Sequence, residues 1–178
     1  MNSALLAIIA LVGAEIHTGT GEVITNGTLV MKDGTIESIG PQVAVPDDAI
    51  VVDAKGTVIT PGFMDAYTRL GLVEVGAVAG SNDTDSGFKS PIRAAQRAVD
   101  SLNLHGSLIP IQRAHGVTTV LSAPSGGLIS GQAALVNLEA NGVIRSSAAM
   151  VIGLGGQNDG SRGARILRLR EAFRDARA

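Results

Sequence analysis

Thr60-Pro61-Gly62-Phe63-Met64-Asp65-Ala66-Tyr67-Thr68-Arg69-Leu70-Gly71 is the stretch on which the reading of this chain turns. The apolar pair Val58-Ile59 runs into a Pro-Gly break, and a short strand is expected after it. Residues two apart on a strand project from one face, so positions 67 and 69 are predicted to face the same way at the strand end. Two histidines there would converge on one metal ion. The chain has Tyr67 and Arg69 instead. A guanidinium stays protonated and offers no acceptor, and a tyrosine could ligate only as its phenolate. That half of a metal site is not encoded.

On the N-terminal side of this stretch, residues 8–60 read as short strands separated by turn chemistry. The run Ile9–Ile16 is followed by a turn at Gly19-Thr20-Gly21. Val23-Ile24 precedes Asn26-Gly27, a hairpin signal, and Thr28–Met31 leads to a second one at Asp33-Gly34. Thr35–Ile39 alternates apolar and polar residues. Gly40-Pro41 and Pro46-Asp47-Asp48 break the pattern, which resumes at Ile50–Val52 and Thr57–Ile59. An all-β unit with meander spacing is predicted, small for a closed sandwich.

On the C-terminal side, 61–178, the expectation is strands alternating with helices. Gly76–Ser90 is polar, Gly-rich and acidic, and predicts a mobile loop. Ile92–Asp100 has helical spacing, with Ala95, Val99 and Leu102 on one side. Leu108–Arg113 predicts a short helix, with Pro110 suited to its first turn. The β-branched run Gly116–Leu121 predicts a buried parallel strand, ended by Ser125-Gly126-Gly127. Gln132–Leu138 and Ala148–Ile152 supply further strand-like pieces. Gly153–Gly160 reads as a loop, and Ser161 as the cap of a helix through Ala178. That helix puts Ile166, Leu169 and Phe173 on one face, with the arginines mostly opposite.

Strand and helix in alternation after a β module suggest the opening of a βα barrel. A closed barrel takes about 250 residues, more than the 178 of this chain. The expectation is therefore an incomplete barrel, a fragment or truncated reading frame. The alternative is a small self-contained α/β domain. An unclosed barrel leaves a sheet edge and inner faces uncovered, so self-association or a partner completing the barrel is expected.

Composition supports a packed aliphatic core: 45% of residues are hydrophobic and only 2% aromatic, with no Trp. The formal net charge of −2 gives no global pull toward nucleic acid or a membrane surface, and neither is expected as a partner. Charge is uneven, since 161–178 carries six arginines against Glu171 and Asp175. The absence of cysteine excludes disulfides, thiolate metal sites and cysteine nucleophiles. Ala4–Val12 is an apolar run too short to span a bilayer, with no Lys or Arg before it. It reads either as a buried strand starting near Ile9 or as a partial export signal, so cytoplasmic and periplasmic locations both stay open.

Five runs occur in order: Ile16-His17-Thr18-Gly19, Asn26-Gly27-Thr28, Lys32-Asp33-Gly34-Thr35-Ile36, Val52-Asp53-Ala54-Lys55-Gly56 and Thr60–Ala66. Together they resemble the start of an amidohydrolase-superfamily protein of the imidazolonepropionase-like branch. Further on, Leu70–Val75 and Gly126–Leu135 are similar to a looser subgroup of amidohydrolases, many of them exported and lacking the paired histidines. The resemblance implies an α/β fold: part of a composite β-sandwich made from both chain ends, of the urease/amidohydrolase type, followed by the first strands and helices of a TIM-like barrel. It implies hydrolysis of C–N non-peptide bonds in small amides or cyclic amides. The family's usual cofactor is a divalent metal, most often zinc, which lowers the pKa of a bound water. Its first ligands, His-x-His, align with Tyr67 and Arg69. The family's remaining ligands and its catalytic aspartate lie on later strands, so no catalytic or metal residue is carried over and no cofactor is expected in this chain. Asp65 aligns with a position that supports the strand end.

Other candidates weigh less. Arg69 could anchor a substrate carboxylate through its guanidinium fork, or pair with Asp65 or a loop carboxylate to position the strand. His17, His105 and His115 lie in separate elements with no ligand spacing. Gly153-Leu154-Gly155-Gly156 invites an anion-loop reading, but fits neither the dinucleotide nor the P-loop pattern. Ser122 and Ser125 lack a nucleophile elbow. Three functions follow: a truncated and inactive amidohydrolase-related hydrolase, a non-catalytic binding or assembly module derived from one, and a metal-free hydrolase working through Arg69 and Asp65.

Overall fold

The computed structural model describes residues 7–85, 87, 89–155 and 161–177. Two compact units divide at Pro61: Met1–Pro61 and Gly62–Ala178.

The first unit is a five-stranded mixed sheet in the order β3-β2-β1-β4, with β5 also on β1. β1 (Ile8–His17), β2 (Val23–Lys32) and β3 (Thr35–Gly40) form an antiparallel meander. The chain then returns to the free edge of β1, where β4 (Ile50–Asp53) and β5 (Val58–Ile59) pair with it in parallel. The predicted meander is therefore only its first three strands. Ala14, Ile16, Leu29 and Ala54 form the core, with Leu11, Ile24, Met31 and Ile59 packed on them.

Of the two expected hairpin turns, one is a turn. Asp33 and Gly34 both take positive φ and close β2 onto β3, as a two-residue hairpin requires. Asn26-Gly27 lies inside β2, because ladder pairs with β1 continue on both sides of it. Asn26 (φ 53) and Gly13 (φ 88) absorb a bulge between the two strands. A Cβ on Gly27 would lie 2.7 Å from Ile16 Cδ1, so close packing also selects glycine there. The β1–β2 reversal is made by Thr18–Glu22, where Thr18 N donates to the Glu22 carbonyl at 3.1 Å.

The second unit is built on a four-stranded sheet, β6-β7-β8-β9. β6 (Phe63–Thr68) and β7 (Val117–Ser122) are parallel, joined by a long crossover containing helix α1 (Leu108–Ala114). β8 (Ile129–Asn137) and β9 (Val143–Ile152) then return antiparallel. Strand–helix alternation thus holds for one unit only, and a mixed, β-dominated α/β fold replaces the expected run of barrel repeats. Leu72, Leu104, Ile109, Val120, Val136 and Leu138 form the core of this unit.

The helix expected over Ile92–Asp100 is absent. Pro91–Arg97 is a strap along β8, bridged in parallel at Ile92–Ile129 and Arg97–Gln132. It is bent between them by a turn at Ala94-Ala95, where Gln96 N donates to Arg93 O at 3.0 Å, and Ala98–Ser101 coils into a 3-10 turn. Partners outside the segment decide this. Arg93 N donates to Ile129 O at 2.9 Å, and Gln132 N donates to Gln96 O at 2.7 Å. Ala95, placed with Val99 and Leu102 on one side of the expected helix, is exposed, whereas Val99 is half-buried. In the Gly76–Ser90 loop, Ala79–Ser81 forms a 3-10 turn and Thr84 is buried; Ser86 and Phe88 lie outside the described residues.

Helix α2 (Arg162–Asp175) starts where expected, with Ser161 Oγ accepting from Ala164 N. Its burial differs from the amphipathic reading. Ile166 and Phe173 stay exposed, whereas Arg165 is buried and donates to the Gly153 and Gly155 carbonyls at 2.5 and 2.8 Å. The early part of the Ala4–Val12 run and Gly156–Gly160 lie outside the described residues. No described helix is long and apolar enough to cross a membrane.

Candidate functional site

The end of β6 is positioned by its parallel partner and by a turn behind it. Phe63, Met64 and Asp65 pair with Val117, Thr119 and Val120, and Thr68 pairs with Ser122 across an irregularity in the register. The ladder closes with Ala123 N donating to Thr68 O at 2.8 Å. Beyond the strand, Ser122 Oγ donates to Leu70 O at 2.8 Å from a fully buried position. That bond gives Ser122 a structural role, fixing the turn that follows Arg69. A tight approach also selects Gly62, since a Cβ there would overlap the Thr118 side chain.

Strict strand alternation does not persist to position 69. β6 ends at Thr68, so Arg69 leaves from the turn. Arg69 lines a cavity of about 460 Å³ with Thr68, Leu70, Glu74, Leu108 and Gln112, and Tyr67 is not part of that wall. Asp65 does not pair with Arg69: its Oδ1 accepts the Tyr67 backbone N–H at 3.0 Å. Among the described residues Arg69 makes no ion pair. Arg69 is exposed at the strand end, and Glu74 lines the same cavity. Glu74 in turn accepts from Asn103 Nδ2.

These residues do not fit a divalent metal. Arg69 has no lone pair to give, Tyr67 and Asp65 are outside the cavity lining, and Asp65 Oδ1 accepts a backbone amide. Among the described residues, no group of three or more His, Asp or Glu is placed to hold an ion. The three histidines have local roles. His17 Nε2 lies 2.8 Å from Glu15 Oε1, His115 Nδ1 lies 2.8 Å from Ile111 O at the end of α1, and the His105 backbone N–H meets Asn103 Oδ1. Ser125 donates its backbone N–H to Thr84 O. Gly153 and Gly155 present their carbonyls to Arg165, an arrangement for a cation rather than an anion.

A second polar cavity, unmarked by any motif, lies between the strap and the loop before it. Arg93 is buried there against Asp85, and Arg97 makes a two-point contact with Asp100 at 2.7 and 3.1 Å. The Asp100 hydrogen bond, then its charge, raises the Arg97 pKa above its ordinary value. Only the Asp85, Arg93 and Asp100 residue types hinted at such pairing, because their meeting depends on the strap.

No family model matches the chain. It is 30% identical over 117 residues to the amidohydrolase tasK of Hapsidospora irregularis, covering 65% of this chain and 12% of that protein. An imidazolonepropionase of Caldanaerobacter subterraneus subsp. tengcongensis is 32% identical over 114 residues, covering 56% and 27%. A dihydroorotase of Mycobacterium tuberculosis is 50% identical over 42 residues, covering 24% and 10%. Among solved structures, an amidohydrolase from Thermotoga maritima MSB8 superposes with a TM-score of 0.82 over 95% of this chain at 22% identity. The chain spans 47% of that structure and at most 27% of the curated relatives named here.

Proposed function

We infer, the chain being an amidohydrolase-superfamily N-terminal portion, that it supplies the substrate-anchoring end of a hydrolase acting on C–N bonds of small amides or cyclic amides. The observation that carries this reading is the exposed Arg69, without an ion pair among the described residues, at a cavity of about 460 Å³ at the end of β6. A guanidinium fork there holds a substrate carboxylate by two parallel hydrogen bonds. Glu74, across the same cavity, disfavours a second anionic group and so orients the ligand. On this reading the β6–α1–β7 unit opens a barrel, the first unit contributes to a composite sandwich, and further residues or a partner complete both. The chain by itself is not expected to turn over an amide by the metal route, since among the described residues no metal-holding group lies at the β6 end.

The test is direct. N-acetyl amino acids are expected to bind the purified chain saturably, and their uncharged amides are not. Arg69→Ala is expected to weaken binding about tenfold to hundredfold, the range for hydrogen bonds to a charged group, with Arg69→Lys intermediate. Equal binding by wild type and Arg69→Ala would remove the anchor role. Zinc-dependent turnover by the purified chain would remove the claim of inactivity.

An assembly module derived from an amidohydrolase is the second reading, and one feature favours it. Ile50, Val51 and Val52 of β4 are all more than 40% exposed, on both faces of the strand. Phe63 and Met64 of β6, and Val143 and Ile144 of β9, are also exposed. Uncovered apolar strands of this kind mark interaction surfaces. The purified chain is expected to self-associate in sedimentation velocity at micromolar concentration, and Val51→Lys to shift it toward monomer. A sharp monomer peak across the concentration range would count against this reading.

A further inference from the structure

We propose that the cavity lined by the strap and by Asp83, Asp85 and Lys89 is a binding site for a small zwitterion, a free amino acid or a short peptide with both termini free. The proposal is independent of the role given to Arg69. The cavity has a volume of about 620 Å³, enough for a ligand of that size.

Its floor is built rather than incidental. Two glycines let the strap backbone come this close: a Cβ on Gly127 would lie 2.7 Å from Pro91 O and one on Gly131 2.5 Å from Gln96 O, while one on Gly126 would meet the ends of the Asp85 and Arg93 side chains. In the slot that remains, the Arg93 side chain is only 6% exposed and bonds to Asp85 through Nη1. Its Nε finds no hydrogen-bond partner among the described residues. Gln96 donates through Nε2 to Thr84 O at 3.4 Å, while its Oε1 is buried and likewise without a partner. A buried donor and a buried acceptor left without partners are each unfavourable, and such groups call for a bound partner.

The charges on the wall repeat the pattern. Asp85 is taken by Arg93, and Asp100 by Arg97. That leaves one cation, Lys89, and one anion, Asp83, both exposed and without an ion pair among the described residues. A simple anion would satisfy Lys89 and Arg93 but meet Asp83 and Gln96 Oε1 unfavourably; a simple cation would do the reverse. A ligand with a carboxylate at one end and an ammonium at the other answers all four. Its carboxylate lies toward Lys89 and Arg93, and its ammonium toward Asp83 and Gln96. The orphan atoms are shielded from bulk water, so binding requires the half-exposed Asp85 carboxylate to move aside for the ligand to reach them.

The experiment uses the purified chain carrying Arg69→Ala, so that the β6 cavity does not contribute. Titration calorimetry with L-alanyl-L-alanine, its N-acetyl form and its C-terminal amide separates the two ends. The free dipeptide is expected to bind saturably, with each blocked form about tenfold weaker. Asp83→Asn should weaken the free dipeptide about fivefold, the scale of one exposed charge pair, and leave the N-acetyl form unchanged. Lys89→Ala should do the same for the amide's counterpart end, sparing the C-terminal amide. Equal affinity for all three ligands would overturn the proposal in favour of plain amide recognition. Absence of saturable binding by the free dipeptide would overturn it altogether. Because Asp83 and Lys89 are exposed, both variants retain the fold, and a far-UV spectrum identical to the parent checks that.

Discussion

Gly131→Ala is expected to detach the strap from β8 and to destabilise the second unit by about 3 kcal/mol. Gly131 has φ 128, a conformation an L side chain adopts only with strain of about 1–3 kcal/mol. The new Cβ would also sit 2.5 Å from the Gln96 carbonyl oxygen and 3.2 Å from its carbon. Backbone is the obstacle, so a rotamer change gives no relief. The cheapest response is for the strap to lift, which breaks the 2.7 Å bond from Gln132 N to Gln96 O and opens the cavity floor. Hydrogen exchange at the Gln132 and Arg93 amides should accelerate about hundredfold, which corresponds to about 2.8 kcal/mol. Gly76→Ala is the control, since nothing lies within 4 Å of a Cβ there, and a change within about 0.5 kcal/mol is expected. Unchanged exchange at Gln132 in Gly131→Ala would mean the strap is held by other contacts.

Leu72→Ala has the other large effect, acting on packing rather than backbone. Leu72 is 1% exposed and belongs to the cluster of Leu70, Leu104, Ile109, Val120, Val136 and Leu138. Removing its branched end leaves a void that these neighbours only partly fill. The loss is expected at about 2–5 kcal/mol, read as a lower urea midpoint by far-UV circular dichroism, the chain having no Trp to report. The unit has no aromatic side chain in that cluster to slide into the gap, which places the estimate toward the upper end. Ile144→Ala on β9, 54% exposed, should cost well under 1 kcal/mol. Similar losses at both positions would show that the Leu72 cluster is not the core.

Much of the first unit was legible in the sequence because its signals are local. Alternation in Thr35–Ile39 and the Asp33-Gly34 turn act over two to five residues, and no distant contact competes with them. Asn26-Gly27 misled for an instructive reason. The same preference for positive φ that makes a hairpin also makes a bulge, and the choice rests on whether β1 continues beside it. The Ile92–Asp100 segment failed more completely. Its helical spacing was real, but helix formation is weak for a short segment, and the ladder to β8 offered its backbone partners of its own.

The site divides along the same line. That Arg69 cannot ligate a metal follows from residue chemistry, and no fold could change it. Where Arg69 points was not available from spacing, because β6 ends at Thr68 and the Leu70–Ser122 bond sets the turn after it. The strap cavity was invisible altogether, since Asp83, Arg93 and Gln96 carry no motif and line one cavity only where Gly127 and Gly131 admit the strap backbone. The sequence alone determined the residue chemistry and the local turns, interactions whose partners are a few residues apart. Tertiary structure alone decided which of those residues share a cavity, because that depends on backbone approach between segments far apart in the chain.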